Sequence, residues 1–213
     1  MTAVTLAEAV DVVAAADPVL ARLVQAVGPI RDRPRDPDGH FGALVRAIVF
    51  QQLAGRAAIA IHGRVRALVD GPFVPEAILA ASDEDLRAAG LSAAKLSSLR
   101  DLSTKVLDGT IVLRRESRLS DEEIIARLGT VRGIGRWTAE MYLIFELRRL
   151  DVWPVDDLGV RQGYAQAWSL EPVPTPRELR PLGDQFRPYR SVVARYCWEA
   201  LAFTPRGTAT ALR

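Results

Sequence analysis

Cysteine, histidine and lysine are scarce in this 213-residue chain. It has one cysteine and two histidines, and among 28 basic residues only Lys95 and Lys105 are lysines. The lone Cys197 excludes a disulfide framework, a four-cysteine zinc site and a cysteine-ligated iron–sulfur cluster. No run of about 18 apolar residues is present, so no membrane-spanning helix is expected. The N-terminal stretch carries acids and no basic n-region, so it does not read as a secretion signal. Net charge is only +2, and the arginine bias is neutral as to cause, since GC-rich coding produces it as well. What is present is globular: 49% hydrophobic and 25% charged residues, enough chain for one compact domain or two small lobes. The charge is uneven. Residues 1–113 hold 12 basic and 13 acidic residues, and residues 114–213 hold 16 and 13.

Helical periodicity and helix punctuation dominate. Helices are expected over 5–16, 18–28, 41–53, 55–69, 75–80, 83–90, 92–107, 120–128, 136–149, 157–168, 177–186 and 188–203. Their starts are marked by Thr5, by Asp17 before Pro18, by Ser82 and Ser92, and by the capping box Ser120-Asp-Glu-Glu123. Residues 29–40, rich in Pro, Asp and Arg, read as a loop. Residues 110–113 are the one strand-like stretch, short and without a partner. The fold class is all-α, as two helical lobes sharing a cleft: lobe A over about 36–110, lobe B over about 1–35 plus 111–213.

The most informative segment runs from Leu128 through Gly133-Ile134-Gly135 to Tyr142. It is no dinucleotide fingerprint, because Thr138 stands where a third glycine belongs and a helix precedes the turn. It is no phosphate loop, because no Lys-Ser/Thr pair follows. What remains is two helices joined by a glycine turn that ends at a helix N-terminus, where amides and the dipole favour an anion. An ordinary helical hairpin is the alternative. Downstream, Pro154 is followed by Asp156 and Asp157 at the start of a helix. Asp157 suits an N-cap, which is one sufficient reason for it. It also lies 22 residues beyond Gly135, one helix and one loop away, so it can return beside the turn.

The pattern Leu128-x-x-Val131-x-Gly133-Ile134-Gly135-x-x-Thr138-Ala139, at about 121–146, resembles the helix-hairpin-helix of DNA repair proteins. With the downstream acid it is similar to the helix-hairpin-helix plus Gly/Pro-Asp superfamily of DNA glycosylases. Two further segments carry the likeness. Residues 48–58, with Gln51-Gln52, resemble the family's glutamine-bearing helix end. Phe186-Arg-Pro-Tyr-Arg-Ser191 resembles the Arg-Pro-Trp-Arg-Ser segment of the 3-methyladenine glycosylase II branch. The resemblance covers about 41–198, and the chain is too short for the β-rich lobe of longer branch members.

That resemblance implies a DNA-binding cleft and a monofunctional enzyme of base excision repair, a DNA-3-methyladenine glycosylase II. Its substrate is double-stranded DNA with alkylated bases, chiefly 3-methyladenine, and it leaves an abasic site. Bifunctional relatives place a Schiff-base lysine where this chain has Trp137, and both lysines here lie upstream of the motif. Asp157 is the expected catalytic carboxylate, with Asp156 supporting. Trp137, Trp198, Tyr142 and Phe50 are candidates for the base pocket, since an alkylated purine is cationic and favours electron-rich faces. Gly133, Ile134, Gly135, Thr138, Arg132 and Arg136 are assigned to the DNA clamp, Gln52 to the region of the opposite strand, and Leu53 to the wedge that fills the space of the extruded base. Tyr142, Phe50 and Leu53 read equally as core residues, and Trp198 as a plain core aromatic. His40 and His62 show no partner pattern. No cofactor and no catalytic metal are expected, although the resemblance implies a structural monovalent cation in the hairpin. The protein is expected to be a cytoplasmic monomer, nucleoid-associated if bacterial. Deaminated, oxidised or cyclic-adduct bases, or lesion binding without catalysis, are the alternatives.

Overall fold

The computed structural model describes residues 4–53, 55–113 and 118–202. Helices α1 (Leu6–Ala16) and α2 (Pro18–Val27) come first. Helices α3 (Gly39–Phe50), α4 (Gly55–Ala67), α5 (Pro75–Ala80), α6 (Asp83–Ala88), α7 (Ala93–Leu107), α8 (Asp121–Leu128) and α9 (Arg136–Phe145) follow. The chain ends with α10 (Leu158–Trp168), α11 (Pro176–Leu182), a 3₁₀ turn (Asp184–Phe186) and α12 (Arg190–Ala202). The all-α class expected from sequence is the one observed, and no strand occurs among the described residues. No helix there is long and apolar enough to cross a membrane.

Local chemistry sets most helix starts. Thr5 with Glu8, Ser120 with Glu123 and Thr175 with Glu178 form reciprocal capping boxes. Asp17 Oδ1 accepts from the amides of Val19 at 2.7 Å and Leu20 at 3.0 Å, with Pro18 opening the helix. Ser82 and Ser92 cap α6 and α7.

Several elements depart from the sequence reading. The helix expected over 136–149 stops at Phe145: the amides of Glu146 and Leu147 both donate to the Tyr142 carbonyl, and Arg148 turns to φ +56°. Residues 110–113 form no strand. The Asp108 carboxylate accepts from the Thr110 amide, the Ile111 amide donates to the Lys105 carbonyl, and Ile111 is buried as an anchor under the α7 terminus. The helix expected over 41–53 runs from Gly39 to Phe50, and that over 177–186 splits into α11 and the 3₁₀ turn. The last helix starts at Arg190; Phe203, its expected end, lies outside the described residues.

The chain divides into two compact units, 33–148 and 1–32 with 149–213. Sequence-derived lobes put 111–148 with the C-terminal segment, whereas the structure groups it with 33–110. The reason is packing: α9 lies against α3, and Leu128, Val131, Ile134 and Leu143 are buried in the core of that unit.

The other unit is built around the crossing of α10 and α12. Their backbones approach so closely that a Cβ on Gly163 would sit 1.9 Å from the Cys197 carbonyl oxygen. Cys197 is fully buried there, and desolvation first, then the charge of Asp157, pushes its thiol pKa up. Val160, Val192, Val193 and Tyr196 fill the surrounding core, with Leu20 from α2. Tyr164 stacks on Trp168 at 4.1 Å, and burial pushes its hydroxyl pKa to about 12. Gly163→Ala therefore forces the two helices apart. A loss of about 3 kcal/mol or more is expected. Urea unfolding checks it, and a midpoint equal to wild type would refute the close-crossing argument.

Candidate DNA-binding and catalytic site

Within residues 33–148, α8 and α9 are joined by a tight turn. The Val131 amide donates to Leu128 O at 2.9 Å and the Ile134 amide to Val131 O at 3.0 Å. Val131 and Ile134 point into the core, which leaves the intervening backbone at the surface. Gly133 holds φ +78°, and a Cβ there would come within 2.5 Å of Ser98 Oγ. Only glycine meets both conditions. Gly135 is the N-cap of α9 and provides no side-chain cap, the arrangement in which a helix N-terminus takes an anion.

Other residues fix this turn from outside. Gln51, at the end of α3, donates through Nε2 to Gly133 O at 2.9 Å and to Thr138 Oγ1 at 3.1 Å. Lys95 donates to the carbonyls of Val49 at 2.7 Å and Gln51 at 2.8 Å, closing the α3 terminus, and burial lowers its pKa. Asp101 Oδ2 accepts from the Arg132 amide and from Lys105 Nζ, each at 2.7 Å, and Lys105 also donates to Thr130 O. Burial alone would raise the Asp101 pKa, yet these bonds hold it below the ordinary carboxylate value. None of Gln51, Lys95, Asp101 or Lys105 was assigned a site role from sequence. Their partners lie 25 to 87 residues away, except within the Asp101–Lys105 pair, so almost no local signal exists.

The sequence candidates in this unit separate clearly. Arg136 is committed to Glu122, with Nη2–Oε2 at 2.5 Å, and to Glu140 at 3.3 Å. The Glu122 hydrogen bond is the largest of the contacts that raise its pKa. Arg136 thus clips α8 to α9. The Arg132 side chain is exposed. Trp137, in the first turn of α9, is 45% exposed. Tyr142 is buried, edge-on to His40, and has little surface to offer a ligand. Phe50 is half-buried, under the Arg46 guanidinium at 4.3 Å and edge-on to His62. Gln52 is exposed in a left-handed conformation at φ +54°, and Leu53 beside it is 38% exposed. His40 pairs with the buried Glu146 at 2.9 Å, and desolvation lowers the His62 pKa.

Within the other unit, Asp157 caps α10. Its Oδ1 accepts from the Val160 amide at 2.7 Å and from Trp198 Nε1 at 2.9 Å. The indole lies across the first turn of α10, where a Cβ on Gly159 would meet Trp198 Cδ1 at 2.9 Å. Trp198 is thus a hydrogen-bond partner of the acid, half-buried at the edge of the core. Asp156 is exposed. The strap before them is held by the Arg187–Ser191 segment. Arg190 forks onto Asp151, with Nε–Oδ1 at 2.7 Å and Nη2–Oδ2 at 3.0 Å, and Arg187 joins it at 3.0 Å. Ser191 Oγ donates to Arg149 O and accepts from the Val152 amide. No group of three or more His, Cys, Asp or Glu able to hold a metal occurs among the described residues.

A glycine hairpin with an anion-accepting helix end, and an aspartate fixed on the cap of a later helix, define a DNA base-excision scaffold. The chain belongs to the HhH-GPD superfamily of base excision DNA repair proteins, whose pattern matches residues 45–187. It is 40% identical over 182 residues to DNA-3-methyladenine glycosylase 1 of Schizosaccharomyces pombe, covering 84% of this chain and 80% of the relative. A structure of the S. pombe 3-methyladenine DNA glycosylase in complex with abasic DNA matches with TM-score 0.80 and 38% identity, covering 90% of this chain and 95% of that one. A DNA-3-methyladenine glycosidase from Bacillus halodurans matches with TM-score 0.82 and 35% identity, covering 90% and 88%.

Gln51, with two bonds to the turn and its helix, and Gln52, exposed beside it, make a controlled pair. Gln51→Ala is expected to cost about 1–2 kcal/mol and Gln52→Ala less than about 0.5 kcal/mol. Urea denaturation of the two variants measures this, and equal losses would contradict the bracing by Gln51.

Proposed function

We propose that the protein is a monofunctional DNA glycosylase that hydrolyses the N-glycosidic bond of flipped-out alkylated bases in double-stranded DNA, chiefly 3-methyladenine, and leaves an abasic site. The observation that carries this reading is Asp157, whose carboxylate is held in one rotation by the Val160 amide and the Trp198 indole. Loss of the base leaves an oxocarbenium-like sugar. A fixed carboxylate stabilises that cation and orients the attacking water. Asp156 is the supporting acid, because its exposure gives it no fixed geometry. An alkylated purine already carries positive charge, so departure needs no general acid. Trp137 offers the exposed aromatic face that favours such a base by stacking and cation–π attraction.

Water is the nucleophile on this reading. Trp137 stands at the position of the lyase lysine, and both lysines are engaged with backbone carbonyls of their own unit. The hairpin, from Gly133 through Thr138, takes a phosphate, and Gln52, Leu53 and Arg132 extend the DNA contact. No cofactor is required; a monovalent cation on the hairpin carbonyls is a structural adjunct. The protein acts as a monomer in the cytoplasm, at the nucleoid if the source is bacterial. Its relatives' names carry the same lesion.

Asp157→Asn is the decisive variant, because asparagine still accepts both hydrogen bonds and still caps α10. Base release from methylated DNA is expected to fall at least about a hundredfold while abasic-analogue DNA is still bound. Mass spectrometry of the released bases reads the first quantity. Excision at the wild-type rate would remove Asp157 from the mechanism, and absence of 3-methyladenine among bases released by the wild type would overturn the substrate assignment.

A further inference from the structure

One face of α7 carries Lys95, Ser98, Asp101 and Lys105, spaced three, three and four residues apart, so they form a single stripe along the helix. Lys95, Asp101 and Lys105 each bond backbone of one of the two surface turns in their unit, and Ser98 packs beside one of them while donating to Ala94 O. Lys95 takes the Val49 and Gln51 carbonyls, at the end of the helix that leads to Gln52 and Leu53. Ser98 occupies the space a Cβ on Gly133 would need. Asp101 takes the Arg132 amide, and Lys105 takes the Thr130 carbonyl while binding Asp101 at 2.7 Å. Thr130 and Arg132 flank buried Val131, so the lysine–aspartate pair grips the chain on both sides of the residue that seats the turn. The Lys105 side chain is 23% exposed, with its ammonium engaged by two acceptors.

We propose that Lys95, Asp101 and Lys105 are positioning residues for DNA: they raise affinity by holding the two turns in their binding geometry, and they do not touch DNA themselves. The argument rests on the DNA-binding part of the proposed function. An ammonium that sought a phosphate would lower affinity on removal and also release one fewer counterion. A positioning ammonium lowers affinity alone. The Lys105–Asp101 pair acts as one device, because the carboxylate oxygen that receives the lysine is the one that receives the turn amide.

The test uses Lys105→Met, Asp101→Asn and the double variant, with Lys95→Met as an independent probe of the other turn. For each, the dissociation constant for abasic-analogue duplex is measured across a salt series. Hydrogen exchange of the amides over 129–135 is followed in the DNA-free protein. The expected result is affinity weaker by about tenfold in each single variant. The slope of log Kd against log salt stays at the wild-type value, the double variant is no weaker than either single, and turn amides exchange faster in Lys105→Met and Asp101→Asn. The loss falls on KM for base release more than on kcat. Unchanged affinity overturns the proposal. So does a slope smaller by about 0.9 in Lys105→Met, which marks a direct phosphate contact. These readouts are binding and exchange, so failure of the wild type to release any base would sink the hydrolase reading and leave this result standing.

Discussion

A turn that presents backbone to a phosphate cannot also fold that backbone away, so its remaining carbonyls and amides need partners from elsewhere in the protein. In the hairpin, which on the proposed function faces a phosphate, that constraint is met by α7 and by Gln51 at the end of α3. Asp101 and Lys105 take the Arg132 amide and the Thr130 carbonyl, and Gln51 takes the Gly133 carbonyl. Gln51 is held in turn by Lys95, through its own carbonyl. Core residues Val131 and Ile134 drive the turn inward by burial. The polar stripe then decides in which orientation it rests. Hydrophobic burial is non-directional and could not make that choice alone.

The second unit solves the opposite problem. On the proposed mechanism its acid must stay at the surface yet hold one rotation, and a short side chain on a helix cap has little to hold it besides the cap amide. The close α10–α12 crossing at Gly163 supplies the second hold, because it carries Trp198 over the first turn of α10 to Asp157 Oδ1. The anchor on the N-terminal side is electrostatic. The Arg190 fork on Asp151 and the Ser191 bonds to 149 and 152 pin the strap that leads into Val155 and Asp157. The Arg-Pro-Tyr-Arg-Ser segment that carries the family resemblance thus has a mechanical reason: it sets where the acid begins its helix.

Much of this was legible in the sequence where the determining chemistry is local. Capping at Ser82, Ser92 and Ser120 acts over three residues, and the observed helices begin where those residues predict. Asp157 was readable for the same reason, as an acid after a proline at a helix start. What was not legible depends on distant partners. Of the adjacent glutamines, sequence assigned Gln52 to the opposite strand and gave Gln51 no role; Gln52 is exposed in a left-handed conformation, and Gln51 braces the turn. Thr110, Ile111 and Val112 have strand propensity, yet the Asp108 turn and burial of Ile111 override it. The boundary at 148 was missed because α9 looks continuous to 149 until the turn at Arg148 is seen.

The scarcity of lysine acquires a physical meaning from these positions. Arginine supplies most of the cations that grip backbone and carboxylates here, through a planar fork: Arg190 on Asp151, Arg100 on the Ile78 and Ala81 carbonyls with Asp83, Arg66 on Asp38 and the Val69 and Gly71 carbonyls. A fork needs acceptors spread in one plane. At the α3 terminus the acceptors are the carbonyls of Val49 and Gln51, and at the hairpin they are Thr130 O and a carboxylate oxygen that also serves the Arg132 amide. A compact ammonium with three rotatable donors fits such a convergent set where a guanidinium does not. Both lysines therefore sit where arginine is the poorer choice, with the ammonium tied to carbonyl oxygens. A lysine in that state has its donors and its position committed to the fold, whereas a Schiff-base nucleophile must present a free amine to the substrate. The contacts that organise the two turns thus engage both of the chain's lysines, and on the proposed mechanism the carboxylate of Asp157 and water are left to do the work.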